Sequence, residues 1–215
     1  MIPQSPNDAL SQLQEIRRMM SSSSRFISLS GWSGIFAGVS ALVGAWLAHR
    51  RIETYYQIEY ARGTAIPGKL YQELLWIAIL VFLSALAGAI AFTFLKSRKD
   101  QLPFWSPVAR RLIWNTFLPI GVGALLVLRL DQARLYEFVT PACLLFYGLG
   151  LVNGSKYTLG EIRYLGYAQL ILGIINLYAV RQGLLWWALG FGVCHILYGA
   201  LMWWNHERTQ NENLA

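Results

Sequence analysis

The sequence predicts an all-α fold, a bundle of six transmembrane helices with both termini in the cytoplasm. The first observation is composition: 55% of the 215 residues are hydrophobic and 13% are charged, whereas soluble domains average about 25% charged residues. The second is distribution, because the apolar residues form long blocks and not the spaced pattern of an amphipathic surface helix. The mean hydropathy of +0.40 agrees with both. We therefore expect one polytopic membrane domain.

The first predicted span covers residues 26–48, and the rest of the chain is organised around it. This segment carries no charged residue. At about 1.5 Å per residue it is long enough to cross a hydrocarbon core of about 30 Å. Small residues recur along it every three or four positions and therefore share one face, on which another helix can approach closely. The residues of this predicted packing face are Gly31, Gly34, Gly38, Ala41, Ala45 and Ala48.

Five further apolar blocks complete the predicted transmembrane domain, residues 26–204. They lie at about residues 74–95, 112–130, 135–152, 160–180 and 184–204, and residues 205–215 form a polar tail. Residues 1–25 are predicted to form a cytoplasmic amphipathic segment, because apolar side chains recur there at helical spacing. That helix is expected either to lie in the membrane interface or to pack on a partner or on the loops of the bundle.

The distribution of Lys and Arg predicts the orientation of the bundle. Eleven of the 18 basic residues fall before the first span, in the second and fourth connections and after the last span. Seven fall in the other three connections. Because cytoplasmic loops carry the excess of Lys and Arg, both termini are expected in the cytoplasm. The net charge of +7 suits loops that face anionic lipid headgroups.

The sequence also argues against several functions, partners and cofactors. No predicted span has a central Asp, Glu, Lys or Arg, which argues against an ion-coupled pump. Cys143 and Cys194 lie inside apolar blocks and are interpreted as small hydrophobic residues. The basic residues are spread over short connections, so nucleic acid is not an expected partner. The sequence has no metal-ligand, P-loop or dinucleotide motif, and neither a metal nor another cofactor is predicted.

Four polar or ring-bearing residues within the spans are candidates for a cavity or ligand site. His195 lies near the middle of the sixth span, with Gly192 and Gly199 on the same face. Its imidazole is expected either to bind a ligand or to make a structural hydrogen bond between helices. The other candidates are Gln169, Asn176 and Tyr198. The alternatives for Gln169 and Asn176 are hydrogen bonds between helices and the polar lining of a cavity.

Ser33 and His195 are candidates for a catalytic pair. The residues Gly31-Trp32-Ser33-Gly34 spell GxSG, and a histidine lies on the sixth span. This arrangement resembles the serine and histidine of rhomboid proteases, which have six-span cores. The resemblance covers four residues and one histidine, and the serine lies on the first span here and on the fourth in rhomboids. It implies an intramembrane serine hydrolase as one further alternative.

A polar cluster is predicted at one cytoplasmic corner, where the fourth connection joins the fifth span. Its members are Asn153, Lys156, Glu161 and Arg163. Glu161 is interpreted as a helix cap and Arg163 as an interface anchor. The alternative is a site for a lipid headgroup or a partner.

Two stretches carry a resemblance that covers most of the chain: ISLSGWSGIFAGVSALVGAW and YGLGLVNGSKYTLGEIRYLG. Together they resemble a family of small six-span bacterial inner-membrane proteins of the Bacteroidota type, for which no activity is known. The resemblance implies a multi-pass protein of the bacterial inner membrane and supplies no reaction.

The function class that these observations favour is a non-enzymatic membrane component that binds a partner or senses the membrane. Its expected partners are the lipid bilayer and either another protein or further copies of this chain. The alternative is a small transporter or channel for a neutral or weakly charged solute. A water-accessible cavity lined by Gln169, Asn176 and His195 would favour transport, and a dry interior would favour the first class.

Overall fold

The computed structural model describes residues 30–64, 66, 68–99 and 105–208, and this part of the chain is helical, without strands. The six helices are α1 (Gly31–Thr54, continued by the π-helical segment Tyr55–Tyr60), α2 (Lys69–Lys99), α3 (Pro107–Gln132), α4 (Val139–Gly154), α5 (Glu161–Tyr178) and α6 (the consecutive segments Gly183–Trp187, Ala188–Cys194, His195–Met202 and Trp203–Arg208). The predicted amphipathic segment 1–25 and most of the predicted tail lie outside the described residues.

Five of these helices are long and apolar enough to cross a membrane, namely α1 to α4 and α6. They correspond to five of the six predicted spans. The remaining predicted span, the fifth along the chain (about residues 160–180), corresponds to α5, an 18-residue helix that carries Gln169 and Asn176 in its apolar stretch. Both of these side chains are fully buried. These two polar side chains of α5 therefore face the interior of the bundle and not its surface.

The helices form a bundle with α6 at its centre. α1 packs between α2 and α6, α4 packs between α3 and α5, and α6 contacts α1, α4 and α5. α2 and α3 lie at the periphery and do not pack along each other. Only 6% of the most apolar stretch of each peripheral helix is buried. Their outer faces expose large apolar side chains, such as Trp76 and Leu80 on α2 and Trp114 and Leu125 on α3, as lipid contact requires.

The predicted small-residue face of α1 lies against α6. A Cβ added at Gly34 would lie 3.0 Å from the Gly199 Cα, and one added at Gly38 would lie 2.6 Å from the Gly192 carbonyl oxygen. The two backbones approach so closely that no larger side chain fits between them. Ala41, Ala45 and Ala48 continue the buried face toward the far end of α1.

Local sequence signals begin and extend the helices. The Ser30 hydroxyl caps α1 by accepting a hydrogen bond from the Trp32 N–H (3.3 Å), and the Ser106 hydroxyl caps α3 by accepting one from the Ala109 N–H (3.1 Å). Pro119 lies inside α3. The predicted first span ends at residue 48, whereas α1 continues beyond it, where Arg51 pairs with Glu59 and Glu73.

Candidate functional site

The polar centre of the bundle is a hydrogen-bond network that joins three helices. The His195 ring on α6 lies between two partners: its Nε2 is 2.7 Å from the Tyr147 hydroxyl on α4, and its Nδ1 is 3.0 Å from the Gly190 carbonyl oxygen. The Gln169 Nε2 on α5 donates to the same carbonyl oxygen at 2.7 Å. We call these four residues the central network: Tyr147, Gln169, Gly190 and His195.

The partners of His195 define its tautomer. A carbonyl oxygen can only accept a hydrogen bond, so Nδ1 must carry a proton and donate it to Gly190. In the neutral ring Nε2 is then unprotonated and accepts from the Tyr147 hydroxyl. Both ring nitrogens are therefore satisfied within the protein, which removes the penalty of an unpaired polar group in an apolar interior. The Tyr147 ring also stacks on His195, with centroids 5.4 Å apart.

A local change in helix geometry and a glycine make the network possible. Residues Ala188–Cys194 of α6 are π-helical, a geometry that occurs frequently at functional sites. A Cβ at Gly190 would lie 2.6 Å from Gln169 Oε1 and 2.5 Å from Leu144 Cδ2. Only glycine lets the Gln169 side chain and α4 approach this turn. Within the described residues Gln169 Oε1 has no hydrogen-bond partner.

The other two predicted cavity candidates do not join the central network. Asn176 is fully buried, and its Nδ2 donates to the Ala179 carbonyl oxygen at the end of its own helix (3.1 Å). Tyr198 donates to the Met202 sulfur one turn further along α6 (3.3 Å). Gln169 and His195 therefore meet at one carbonyl group, while Asn176 and Tyr198 each bond within their own helix.

The structure gives Ser33 and His195 different hydrogen-bond partners. The Ser33 hydroxyl donates to the Ser30 carbonyl oxygen at 2.6 Å and is part of the first turn of α1. Both nitrogens of His195 are engaged by Tyr147 and Gly190. A histidine that activates a serine needs a free ring nitrogen within hydrogen-bond reach of the hydroxyl. Such a bond is not formed in this structure.

The predicted cytoplasmic corner is a structural junction between α3, α4 and α5. The Asn153 amide donates to the backbone oxygen of Asn115 (3.0 Å) and accepts from the Lys156 ammonium group (3.3 Å). The Arg163 Nε donates to the Ser155 hydroxyl at 3.4 Å. Glu161 begins α5, where a carboxylate suits the positive end of the helix dipole.

This arrangement can hold helices together but offers no free reactive group. For His195 to act as a base or a ligand, it would first have to give up Tyr147 or Gly190. Among the described residues no group of three His, Cys, Asp or Glu side chains is placed to hold a metal ion. Tyr147 and Gly190 were not predicted as site residues, because nothing in the sequence marks one tyrosine or one glycine among many.

Comparison of the chain with protein-family models, with curated proteins and with solved structures finds no match.

Proposed function

We propose that the protein is a six-span, non-enzymatic membrane component that works through its outer surfaces, by binding a partner or by responding to the membrane. The observation that carries this proposal is the burial of the interior polar groups. Gln169 and Asn176 have 0% exposed surface, and His195 has 6%. An accessible surface includes the wall of any cavity wide enough for water. In the part of the chain that the structure describes, no space wide enough for water therefore adjoins the two amides.

The proposal counts α5 as a membrane span, which brings the number of spans to six. Eighteen residues of α-helix extend about 27 Å, which nearly matches the hydrocarbon thickness of about 30 Å. The side-chain amides of Gln169 and Asn176 do not face lipid, because both are buried inside the bundle. Six spans would place both termini on one side. The excess of Lys and Arg in the termini and in the second and fourth connections supports a cytoplasmic location for that side, and the family resemblance supports a bacterial inner membrane.

Thiol labelling of intact cells tests the topology. In a variant without native cysteines, a membrane-impermeant reagent should modify Tyr60→Cys in the first connection and leave Asp100→Cys unmodified until the membrane is opened. Modification of residue 100 and not of residue 60 would contradict the orientation. Modification of both would contradict a uniform orientation in the membrane.

Transport of a neutral or weakly charged solute is the second candidate function. The observation in its favour is a set of three buried polar atoms without hydrogen-bond partners in the described part of the chain: Gln169 Oε1, Asn176 Oδ1 and Trp186 Nε1. Buried polar atoms are nearly always paired. In a second conformation these atoms could pair with water or with a passing solute.

Liposome swelling separates the two functions. The purified protein is reconstituted, and swelling is recorded after addition of glycerol, erythritol or urea. The proposal predicts the rate of protein-free liposomes of the same composition. Faster swelling would contradict it and support transport, and a return to the basal rate in Asn176→Leu would place the path beside α5.

Photo-crosslinking in membranes then identifies what the outer surfaces contact. A photoreactive phenylalanine derivative is placed at Trp76 on α2 or at Trp114 on α3, which are 64% and 71% exposed. Leu144, which has no exposed surface, is the matched control. A discrete protein adduct from an exposed site and none from Leu144 would support a protein partner or a second copy. Lipid adducts alone would restrict the proposal to a response to the membrane.

A further inference from the structure

A polar cleft lies at the end of the bundle where α2 begins and where α3 is connected to α4. Its volume is about 370 Å³, which lies within the range of about 300–1,000 Å³ that is typical of small-ligand sites. The lining residues are Gly68, Gln72, Asp131, Gln132, Arg134 and Tyr136. None of them belongs to the central network or to the predicted corner.

Aromatic stacking builds the cleft across two helices that otherwise lie apart. The Tyr71 ring on α2 stacks on the Tyr136 ring of the α3–α4 connection, with centroids 3.6 Å apart and planes 7° from parallel. Gly68 adopts a positive φ of +80° directly before α2 and places the chain beside the Tyr136 hydroxyl. The two walls of the cleft are therefore held in place by the fold.

Arg134 occupies a backbone position that normally belongs to glycine. Its φ is +58°, and in the described part of the chain it is the one non-glycine residue with a positive φ. The Arg134 N–H donates to the Asp131 carbonyl oxygen (3.0 Å) and the Leu135 N–H to that of Leu130 (2.9 Å). This is the pairing of a helix C-terminal motif whose left-handed residue is usually Gly or Asn. An arginine there strains the backbone, and such strain is concentrated at functional sites.

The cleft contains one charge of each sign, and neither is part of an ion pair among the described residues. Asp131 and Arg134 make no ion pair with each other or with another described side chain, whereas nearby Arg51 pairs with Glu59 and Glu73. The amides of Gln72 and Gln132 and the hydroxyl of Tyr136 add both donors and acceptors. A ligand with a positive and a negative group would complement this lining.

We propose that the cleft binds a zwitterion that carries an ammonium group and a phosphate group, such as phosphoethanolamine. The Arg134 guanidinium binds the phosphate, for which its planar fork of donors is suited. The Asp131 carboxylate accepts hydrogen bonds from the ammonium group. The site depends only on the geometry of the cleft. Its lipid source, a phosphatidylethanolamine headgroup, also depends on the six-span proposal, which places the ends of α2 and α3 and their flanking tyrosines at headgroup level.

Binding to delipidated protein in detergent tests the proposal with two probes. Free phosphoethanolamine is titrated by calorimetry, and retention of phosphatidylethanolamine is compared with that of phosphatidylglycerol by native mass spectrometry. Phosphatidylglycerol has the phosphate without the ammonium group. Binding of the free zwitterion would assign a soluble source, and preferential retention of phosphatidylethanolamine alone would assign a lipid source. No binding of either probe, or equal retention of the two lipids, would overturn the proposal.

Two charge variants test which side chain binds the phosphate and which binds the ammonium group of the ligand. Arg134→Gln should weaken binding of both lipids or of the free zwitterion about tenfold or more, because it removes a charge-assisted hydrogen bond. Asp131→Asn should abolish the preference for the ammonium-bearing probe and leave binding of phosphatidylglycerol unchanged. Arg62→Gln, an exposed arginine outside the cleft, is the matched control and should bind like wild type. Unchanged binding in both cleft variants would refute the assignment.

Arg134→Gly distinguishes a binding role from a structural one. Glycine adopts a positive φ without strain, so this variant should be at least as thermally stable as wild type while it loses the ligand. A lower melting temperature together with lost binding would mean that the arginine side chain holds the connection in place, and the proposal would fail.

Discussion

A double-mutant cycle on His195 and Tyr147 tests the central network most sharply. His195→Leu removes both hydrogen bonds of the imidazole. The Gly190 carbonyl oxygen keeps its bond from Gln169, so it stays satisfied. The Tyr147 hydroxyl loses its Nε2 acceptor at 2.7 Å and is left without this partner in a partly buried position. Most of the expected loss of stability therefore comes from one unpaired hydroxyl group.

The expected magnitudes follow from that single unpaired group. A buried polar group left without its partner destabilises a protein by about 1–3 kcal/mol. His195→Leu should therefore lower the free energy of unfolding by about that amount. In His195→Leu combined with Tyr147→Phe no hydroxyl remains to be unpaired, and replacement of both partners is close to neutral. The double variant should be more stable than His195→Leu alone, with a coupling energy of about 1–2 kcal/mol.

The assay is reversible unfolding in mixed micelles, followed by circular dichroism for wild type, both single variants and the double variant. His195→Gln is the conservative control, because its amide supplies one donor for Gly190 and one acceptor for Tyr147. It should retain more stability than His195→Leu. Effects that add within about 0.5 kcal/mol, or a His195→Leu protein as stable as wild type, would refute the structural role of this network.

Two further predictions concern the packing of α1. Gly38→Leu should destabilise the fold more than Leu42→Ala, because its Cβ alone would lie 2.6 Å from the Gly192 carbonyl oxygen; equal melting temperatures in one detergent would contradict this. Arg51→Met should lower stability by about 1 kcal/mol at low ionic strength and by less at 1 M salt, because partly exposed ion pairs to Glu59 and Glu73 are lost; a salt-independent loss would contradict the electrostatic cause.

The all-helical fold class and five of the six predicted spans were accessible from the sequence because both depend on composition. Five predicted spans correspond to helices that are long and apolar enough to cross a membrane. The small-residue face of α1 was visible in the spacing of its glycines, but its neighbour was not. Spacing along one helix shows which residues share a face and contains no information on which helix packs there. The contact with Gly199 and Gly192 required the structure.

The partners within the candidate site were less predictable. Gln169 and Asn176 are seven residues apart and share a helix face, but their amides have different partners. Gln169 donates to Gly190 on α6, whereas Asn176 donates to Ala179 at the end of α5. The π-helical turn at Ala188–Cys194 changes which side chains of α6 face α4 and α5, and a helical period of 3.6 residues cannot indicate such a change.

No pattern in the sequence predicted the cleft. Its walls come from segments nearly seventy residues apart, at Gly68 and at Tyr136. The feature that distinguishes Arg134 is its backbone angle, and an arginine beside a helix end is ordinary in composition. Sites of this kind become visible only when the fold has brought distant segments together.

Solvent access to the middle of α5 tests the central claim of a dry, hydrogen-bonded interior most directly. In a variant without native cysteines, Gln169→Cys is treated with a small charged thiol reagent from both sides of the membrane. Gln132→Cys, at the exposed C-terminal end of α3, is the control. The account predicts rapid modification at residue 132 and none at residue 169 until the protein is unfolded. Modification of residue 169 in the folded protein would show that water reaches the interior, and the solute path would replace the closed bundle as the better explanation.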